Sequence, residues 1–324
     1  MASSSIGSTR DVAKRPASPN SSNDKEPLPD YTSVDVYDVD LIQDARADKI
    51  PVKSVVVTQG RSEIRKLVLS IIFQQFCQII MIFTLVRSND RMDVESSVLP
   101  DIVLDHVPYI RWAVRWSEIL LFSLCISFCI LLILHKNRIL VIRRILAVAG
   151  VCMLIRAICI SSTVLPRSRP TMECAPKSRN TAEVFHRIFI MYMSSGLGIF
   201  GGHMCGNYFF SGHTLMLTLI HYGYQQYTPD SMVFLRRLSA VVCIVITILI
   251  LLAHNHYTLD ILGAFYIGSS VWNIYHFLAH NAAYRTHRAF SSFWTWVISQ
   301  FEDADEPVIE NEFLTFKEVT NMFS

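Results

Sequence analysis

The sequence predicts an all-helical integral membrane protein with six transmembrane helices and disordered N- and C-terminal tails. Of its 324 residues, 51% are hydrophobic and only 17% are charged, and the mean hydropathy is +0.34. Soluble globular domains carry about 25% charged residues, so one membrane domain explains the composition better than two soluble domains. The formal net charge of +2 comes without a basic block, which argues against nucleic-acid binding.

Three segments follow from the composition. Residues 1–66 are dominated by Ser, Pro, Asn and Asp, which predicts a disordered cytosolic tail. That tail has no apolar stretch near its start, so the first span is expected to be an uncleaved anchor. Residues 67–280 form the predicted six-helix membrane domain. Residues 281–324 are expected to be a cytosolic C-terminal tail, whose acidic stretch from Glu302 to Glu312 should be solvated.

Six apolar runs approach the roughly 20 residues that cross a bilayer as a helix. They are residues 67–86, 117–134, 145–165, 211–227, 238–253 and 260–278. A further apolar stretch, 185–200, contains serines and glycines and is interpreted as a partly buried loop or a re-entrant helix. In this scheme Lys and Arg are slightly more frequent beside the cytosolic ends of the spans, which places the polar motifs on the lumenal or outer side.

Two short motifs carry the strongest chemical signal: Ser-Gly-His at residues 211–213, and His256 followed by Asp260. An imidazole and a carboxylate four residues apart share a helix face, so Asp260 can hold His256 in one tautomer and stabilise its positive form. A helix that starts after Ser211 would offer backbone N–H groups to a phosphate. Two such histidines fit phosphoryl transfer through a phosphohistidine, in which one histidine attacks and the other moves protons.

Other polar residues allow simpler interpretations. A single histidine at a membrane boundary is more often interfacial than catalytic, and His203 and His254 stay undecided. Because no cysteine or carboxylate spacing suggests a zinc site, we expect no metal. Six of the eight cysteines lie in apolar runs as small hydrophobic residues, whereas Cys174 and Cys205 lie in polar stretches.

The two histidine motifs resemble those of the lipid phosphate phosphatase superfamily, and the longer strings around them resemble the sphingomyelin synthase family. The matching strings are residues 205–214 and 254–260, Leu99-Pro100-Asp101, Arg143-Arg144 leading to Arg156, and 174–177. They follow the family's order and spacing over roughly residues 67 to 280. The resemblance implies six helices, an exoplasmic active site and transfer without a metal or cofactor.

The resemblance also assigns roles to residues. His213, His256 and Asp260 match the family's catalytic triad. Glu183 matches an acidic residue that helps to orient the first histidine. Asn207 stands where the family usually has Asp; it can accept a hydrogen bond but carries no charge. Leu249 and Ile250 replace the Ser-Arg pair that precedes the second histidine in the phosphatases.

Several residues are expected to bind the substrate: Ser211, Asn207, Tyr257, Arg111 and Lys177. Arg111 and Lys177, with Arg115 and Arg179, could neutralise a phosphodiester, although each could equally pair with a nearby carboxylate or face water. Tyr257 and neighbouring aromatic residues could surround a quaternary ammonium. Cys174 and Cys205 could form a disulfide in an oxidising lumen.

The implied activity is that of a phosphatidylcholine:ceramide cholinephosphotransferase, which forms sphingomyelin and releases diacylglycerol through a phosphohistidine. The alternatives are a ceramide phosphoethanolamine synthase, an inositol phosphorylceramide synthase, a hydrolase of lipid phosphates and a noncatalytic membrane protein. A Golgi or plasma-membrane location follows from the resemblance alone. Gly201 and Gly202 could support helix–helix association and hence a homo-oligomer.

Overall fold

The computed structural model describes residues 52–93, 95–193, 204–285, 287, 290, 292–303, 311–315, 318 and 320. Every regular element in these ranges is a helix, apart from one isolated antiparallel bridge between His135 and Phe313. The all-helical class is therefore confirmed. Most of the predicted N-terminal tail lies outside the described residues, as do residues 194–203.

The described residues contain eight α-helices. They are α1 (Val52–Arg91), α2 (Arg111–Leu134), α3 (Arg138–Ser162), α4 (Thr181–Met193), α5 (Gly212–Tyr227), α6 (Val233–Leu252), α7 (Thr258–His280) and α8 (Ser292–Phe301). Short 3-10 helices cover Asp230–Met232 and Ala282–Tyr284. The six predicted apolar runs fall on α1, α2, α3, α5, α6 and α7.

Among the described residues, four helices are long and apolar enough to cross a membrane by themselves. These segments are Ser62–Arg91, Arg111–Leu134, Arg138–Ser162 and Asp230–Leu252. Helix α5 has 16 residues, or about 24 Å of length, which is less than the roughly 30 Å of a hydrocarbon core. Helix α7 has 23 residues but carries Asp260, His276 and His280. Length and polarity thus explain why only four of the six predicted spans coincide with described helices that could each cross a membrane.

Two predicted boundaries differ from the structure. Helix α1 begins at Val52, so the last part of the predicted disordered tail, 52–66, is helical. The polar end of this helix is held by an ion pair between Glu63 Oε2 and Arg143 Nη1 at 2.8 Å. The first half of the predicted loop or re-entrant stretch 185–200 belongs to α4, which ends at Met193; its second half lies outside the described residues.

The six long helices alternate in direction. The start of α2 lies beside the end of α6, where Ile110 N–H donates to the Leu252 carbonyl at 2.9 Å. The starts of α5 and α7 lie together, where Ser211 N–H donates to the Asp260 carbonyl at 3.2 Å. We call this the site end, since α2, α5 and α7 begin there while α1, α3 and α6 end there; the opposite end is the network end.

A buried ionic network closes the network end. Arg144 on α3 donates from Nη2 to Glu302 Oε2 at 2.9 Å, and the two side chains are only 1% and 0% exposed. The Tyr275 hydroxyl donates to Glu302 Oε1 at 2.9 Å. Glu302 follows α8, whose Val297 and Phe301 are buried in the core. The prediction of a solvated acidic stretch is therefore wrong for Glu302, which is buried because it pairs with the buried Arg144 guanidinium. The side chains of Asp303 and Glu312 are 57% and 54% exposed.

We expect Glu302→Ala to lower the free energy of unfolding by about 3 kcal/mol, since it leaves Arg144 buried without its carboxylate. The measurement is an SDS titration of the purified protein in mixed micelles. Asp230→Ala is the matched control, because its ion pair with Arg236 involves a carboxylate that is 97% exposed and should matter little. Equal stability of the two variants would contradict a structural role for the network.

Candidate active site

The histidine and carboxylate of the second motif meet at the start of α7. His256 Nδ1 lies 3.3 Å from Asp260 Oδ2, and the side chains are 6% and 0% exposed. His256 precedes Tyr257, the N-cap residue, so the pair does not share a helical face as expected. Instead, Asp260 is the third residue of the helix and folds back to accept the Tyr257 N–H at 3.0 Å. This reciprocal capping at a helix start produces the predicted pairing by a different local geometry.

His213 lies beside this pair. It is the second residue of α5, and the centroids of its ring and the His256 ring are 6.0 Å apart, with the ring planes at 59°. Ser211 caps the helix, because its Oγ accepts the Thr214 N–H at 3.2 Å. The expected helix start at the Ser-Gly-His motif is thus confirmed, and the two imidazoles are close enough to contact one phosphoryl group.

Asp260 also fixes the loop that precedes α5. Its Oδ1 accepts the Phe209 N–H at 2.5 Å. Phe209 has φ of +83°, a left-handed conformation that is costly for a residue with a bulky side chain. One carboxylate therefore holds both histidine motifs in place. Sequence reasoning missed the contribution of Phe209, because a backbone donor in a strained conformation leaves no signal in residue type.

A disulfide joins Cys174, in the segment after α3, to Cys205, in the loop before α5, with a Cα–Cα distance of 5.5 Å. The expected pairing is present. Asn89, near the end of α1, supports it from both sides: its Oδ1 accepts the Cys205 N–H at 2.9 Å, and its Nδ2 donates to the Ala175 carbonyl at 3.1 Å. The loop that leads into the Ser-Gly-His motif is thereby anchored to two other segments.

We expect the native protein to migrate faster on gels without reductant than with it, because the disulfide closes a loop across a separation of 31 residues. Cys174→Ala should abolish the difference. Cys243→Ala is the control, since Cys243 is a free cysteine on α6, and it should behave like the native protein. Equal mobility of the native protein and Cys174→Ala without reductant would argue against the bond.

Glu183 lies on α4 and is bound to arginines. Its Oε2 accepts the Arg179 N–H at 2.9 Å, and its Oε1 pairs with Arg187 Nη2 at 2.5 Å. The Arg179 hydrogen bond, followed by that of Arg187, lowers the pKa of Glu183. Within the described part of the chain no contact joins Glu183 to His213, so the expected support of that histidine is not seen. The local arginines satisfy this carboxylate instead.

The residues expected to bind substrate are differently placed. Arg111 and Lys177 are exposed, and Lys177 lines a cleft of about 400 Å³ beside the disulfide. Asn207 is half-buried in the loop before α5. The Tyr257 hydroxyl accepts the Leu99 N–H at 3.1 Å and donates to the Arg167 carbonyl at 3.0 Å. Tyr257 and Ser211 thus use their hydroxyl groups to position backbone.

Asp101 joins the first outer loop to the start of α7. Its carboxylate accepts the Thr258 N–H at 2.7 Å and the Thr258 hydroxyl at 2.6 Å, and it also accepts the N–H groups of Val103 and Leu104. Burial would raise the pKa of Asp101, but these hydrogen bonds, led by that of the Thr258 hydroxyl, outweigh it and lower the pKa. These hydrogen bonds therefore hold the Leu-Pro-Asp string against the start of α7, the helix that carries Asp260.

An apolar cleft of about 540 Å³ opens beside the Leu-Pro-Asp string. Leu99, Ile158, Leu165, Phe209 and Leu259 line it. Phe209 and Leu259 are neighbours in sequence of the residues that build the histidine site, although the triad side chains are not among the described residues that line the cleft. Ile158 and Leu259 are largely exposed, so the cleft reaches the apolar outer surface of the helices.

The structure shows the contacts of His254, one of the two histidines whose role the sequence left undecided. His254 Nε2 lies 3.0 Å from the Val107 carbonyl, and the His254 carbonyl accepts from the Ser168 hydroxyl at 2.7 Å. These contacts hold loops together at the site end. His203 lies outside the described residues. Across the ranges that the structure covers, no group of three or more His, Cys, Asp or Glu is arranged to hold a metal ion.

Residues 204–277, which contain both motifs, match the family model described as PAP2 superfamily C-terminal. The match begins just before the disulfide-bonded Cys205 and ends within α7. It therefore covers the site and the helices that carry it.

Three similar proteins indicate the family to which the chain belongs. Sphingomyelin synthase-related protein 1 of Homo sapiens is 36% identical over 216 residues, which cover 66% of this chain and 52% of that protein. Sphingomyelin synthase-related 2 of Caenorhabditis elegans is 30% identical over 239 residues, 72% of this chain and 73% of that protein. Phosphatidylcholine:ceramide cholinephosphotransferase 1 of Homo sapiens is 30% identical over 236 residues, 72% of this chain and 57% of that protein.

The chain belongs to the sphingomyelin synthase family, as the sequence motifs indicated. It spans about half the length of the human protein named sphingomyelin synthase-related protein 1 and 45% of its Mus musculus counterpart. The sequence identities establish the family, and the long apolar helices establish that the chain is a membrane protein.

Proposed function

We propose that this protein transfers phosphocholine from phosphatidylcholine to the primary hydroxyl of ceramide, forming sphingomyelin and releasing diacylglycerol. The observation that carries the proposal is the pairing of His256 with Asp260 at 3.3 Å, with the His213 ring 6.0 Å from that of His256. A braced imidazole beside a second imidazole suits a nucleophile and a proton carrier. The relatives named phosphatidylcholine:ceramide cholinephosphotransferase supply the donor and acceptor.

In the first displacement, Asp260 holds Nδ1 of His256 so that Nε2 is left as the nucleophile. A bond forms between Nε2 and phosphorus, and the bond from phosphorus to the glycerol oxygen breaks. His213 gives its proton to the departing oxygen, which leaves as diacylglycerol. The product of this step is a phosphocholine group on His256, whose positive ring is stabilised by the Asp260 carboxylate.

In the second displacement, the primary hydroxyl of ceramide attacks the phosphohistidine. His213, now neutral, takes the proton of that hydroxyl while the oxygen–phosphorus bond forms. The nitrogen–phosphorus bond breaks and returns His256 to its starting state. In the second step His213 regains the proton that it gave up in the first. Because both displacements occur at His256 and phosphatidylcholine supplies the group, the transfer uses no soluble phosphocholine donor.

The surroundings suit lipid substrates and an outward-facing site. An apolar cleft of about 540 Å³ beside the site can take up part of a lipid chain. The Cys174–Cys205 disulfide supports placing the site end on a lumenal or exoplasmic side, since disulfides persist in oxidising compartments. We assign six membrane crossings, with α5 and α7 completing the set and both chain ends cytosolic, in the Golgi or plasma membrane.

A second candidate is transfer of phosphoethanolamine to ceramide. One observation leaves room for another amine: the chain is 36% identical to the human protein named sphingomyelin synthase-related protein 1, a name that states no donor, and only 30% identical to the human cholinephosphotransferase. The same triad and the same two displacements would serve either donor. The difference would reside in the surface that contacts the amine.

We expect His256→Ala and Asp260→Asn to lower transfer strongly, by at least about 100-fold, because one removes the nucleophile and the other its positioning charge. Both should insert in the membrane normally. The measurement uses microsomes from cells without endogenous sphingomyelin synthesis, supplied with fluorescent ceramide and phosphatidylcholine. Cys243→Ala serves as a control with native activity. Near-normal turnover by His256→Ala would refute the assignment.

The donor is tested by offering phosphatidylcholine and phosphatidylethanolamine separately in the same assay. The expected result is fluorescent sphingomyelin from phosphatidylcholine, which disappears in the His256→Ala variant because that variant lacks the nucleophile. A product from phosphatidylethanolamine alone would retain the mechanism and replace the substrate. If neither donor gives a product while the protein is present in the membrane, transfer of phosphocholine or phosphoethanolamine to ceramide is excluded.

A further inference from the structure

Helix α1 carries three glutamines inside the segment that can cross a membrane. Gln74, Gln75 and Gln78 lie near the middle of Ser62–Arg91, where a polar side chain is expensive. Two of them are bonded to each other and to α4. Gln75 Oε1 accepts the Tyr192 hydroxyl at 2.7 Å, and Gln75 Nε2 donates to Gln74 Oε1 at 2.7 Å. Bonds of this kind join neighbouring helices in a membrane.

Gln78 differs from the other two glutamines. Its side chain is half-buried, and it forms no hydrogen bond with any residue that the structure describes. Its amide can accept through Oε1 and donate through Nε2. Leaving both groups unpaired away from water is unfavourable. The position therefore suits a ligand that brings a hydrogen-bond donor and a hydrogen-bond acceptor.

Gln78 is on the side of α1 that faces its neighbouring helices. The lipid-exposed side of α1 near this position consists of four residues spaced three or four apart: Ile72, Phe76, Ile79 and Phe83. Met81 and Leu85 follow Gln78 by three and seven residues, on the other side, and they are buried. Both pack with Ala157 of α3 and Met191 of α4 in one hydrophobic cluster. Gln78 thus continues a stripe that lies between α3 and α4.

The position of Gln78 along α1 relates it to the histidine site. Arg156 Nη1 donates to the Met81 sulfur at 2.9 Å, and a Cβ at Gly212 would lie 3.2 Å from Arg156 Cζ. One guanidinium therefore contacts both Met81 and the start of α5, which carries His213. Gln78 is three residues before Met81, or about 4.5 Å farther from the site end along the helix axis.

We propose that Gln78 binds the ceramide acceptor beside its primary hydroxyl, with Oε1 accepting the ceramide amide N–H and Nε2 donating to the secondary hydroxyl. This inference rests on the proposed function. In ceramide the amide nitrogen is on the carbon next to the one that carries the primary hydroxyl. When that hydroxyl reaches His213, the amide is a short distance deeper in the membrane, as Gln78 is.

The same contact would select the acceptor. Diacylglycerol also has a primary hydroxyl, but an ester oxygen stands where ceramide has its amide nitrogen. An ester oxygen cannot donate, so diacylglycerol would leave Gln78 Oε1 unpaired. A site that is built to bind a donor rejects an analogue that lacks it. Gln78 would thereby favour ceramide over the diacylglycerol that the first displacement releases.

The test uses N-methylceramide, which lacks the amide N–H, as an alternative acceptor for the full-length protein. We expect the native protein to prefer ceramide by at least about 10-fold in kcat/KM. Gln78→Met keeps the length of the side chain and removes its amide, so it should lower kcat/KM for ceramide by about 10-fold and use both acceptors about equally.

Gln75→Met is the matched control on the same helix. It should lower the thermal unfolding midpoint in detergent, because the Tyr192 hydroxyl loses its acceptor, and it should keep the native preference for ceramide. Two outcomes would overturn the proposal. One is the same preference in the native protein and in Gln78→Met. The other is an unfolding midpoint of Gln78→Met as low as that of Gln75→Met with the native preference retained, which would make Gln78 structural.

A binding measurement separates this inference from the proposed function. Short-chain ceramide should raise the unfolding midpoint of the native protein more than N-methylceramide does, and the two lipids should act alike on Gln78→Met. If the native protein transfers nothing to ceramide but shows this difference, the ceramide site stands and the transferase assignment falls. If transfer to ceramide occurs and both lipids stabilise the native protein equally, the role of Gln78 falls alone.

Discussion

The site depends on the buried Asp260 carboxylate more than on any other single group. Its Oδ2 accepts from the Tyr257 backbone and pairs with His256, while its Oδ1 accepts from Phe209, which is 51 residues earlier in the chain. Because the same side chain caps α7 and fixes the loop before α5, the two histidines cannot be positioned independently. The strained φ of Phe209 is tolerated because that hydrogen bond, the disulfide and the Ser211 cap all constrain the same short loop.

Pairing of buried charge organises the two ends of the helix bundle differently. At the network end, arginines of α3 meet carboxylates from α1 and from the residue after α8, so the charges are balanced within the protein. At the site end, Arg156 donates to the Phe210 carbonyl and to the Met81 sulfur atom, and the Asp260 carboxylate acts on it electrostatically. Direct ion pairs thus stabilise the network end, whereas the arginine at the site end holds the backbone of the loop before α5. Both arrangements occur on one helix, α3.

The sequence could predict the parts that depend on residue type and spacing. Long apolar runs marked the helices, and the Ser-Gly-His and His-x-x-x-Asp motifs marked residues that the structure brings together. Three features could not be read in this way. Glu302 looked like part of an acidic surface, because its partner lies 158 residues away. Phe209 acts through its backbone. Glu183 matched a family motif, but nearby arginines satisfy its carboxylate, and only coordinates reveal such competition.

The separation between Arg144 and Glu302 also sets an order of events during synthesis. Translation proceeds at about 5–20 residues per second, so the 158 residues between them take about 8–30 s to emerge. Throughout that interval α3 is already available for membrane insertion, whereas the carboxylate that neutralises its arginine does not yet exist. This end of the bundle therefore cannot reach its final packing before residue 302 has been synthesised. Native closure waits for α8, and the nascent chain must keep a guanidinium hydrated at the membrane surface until then.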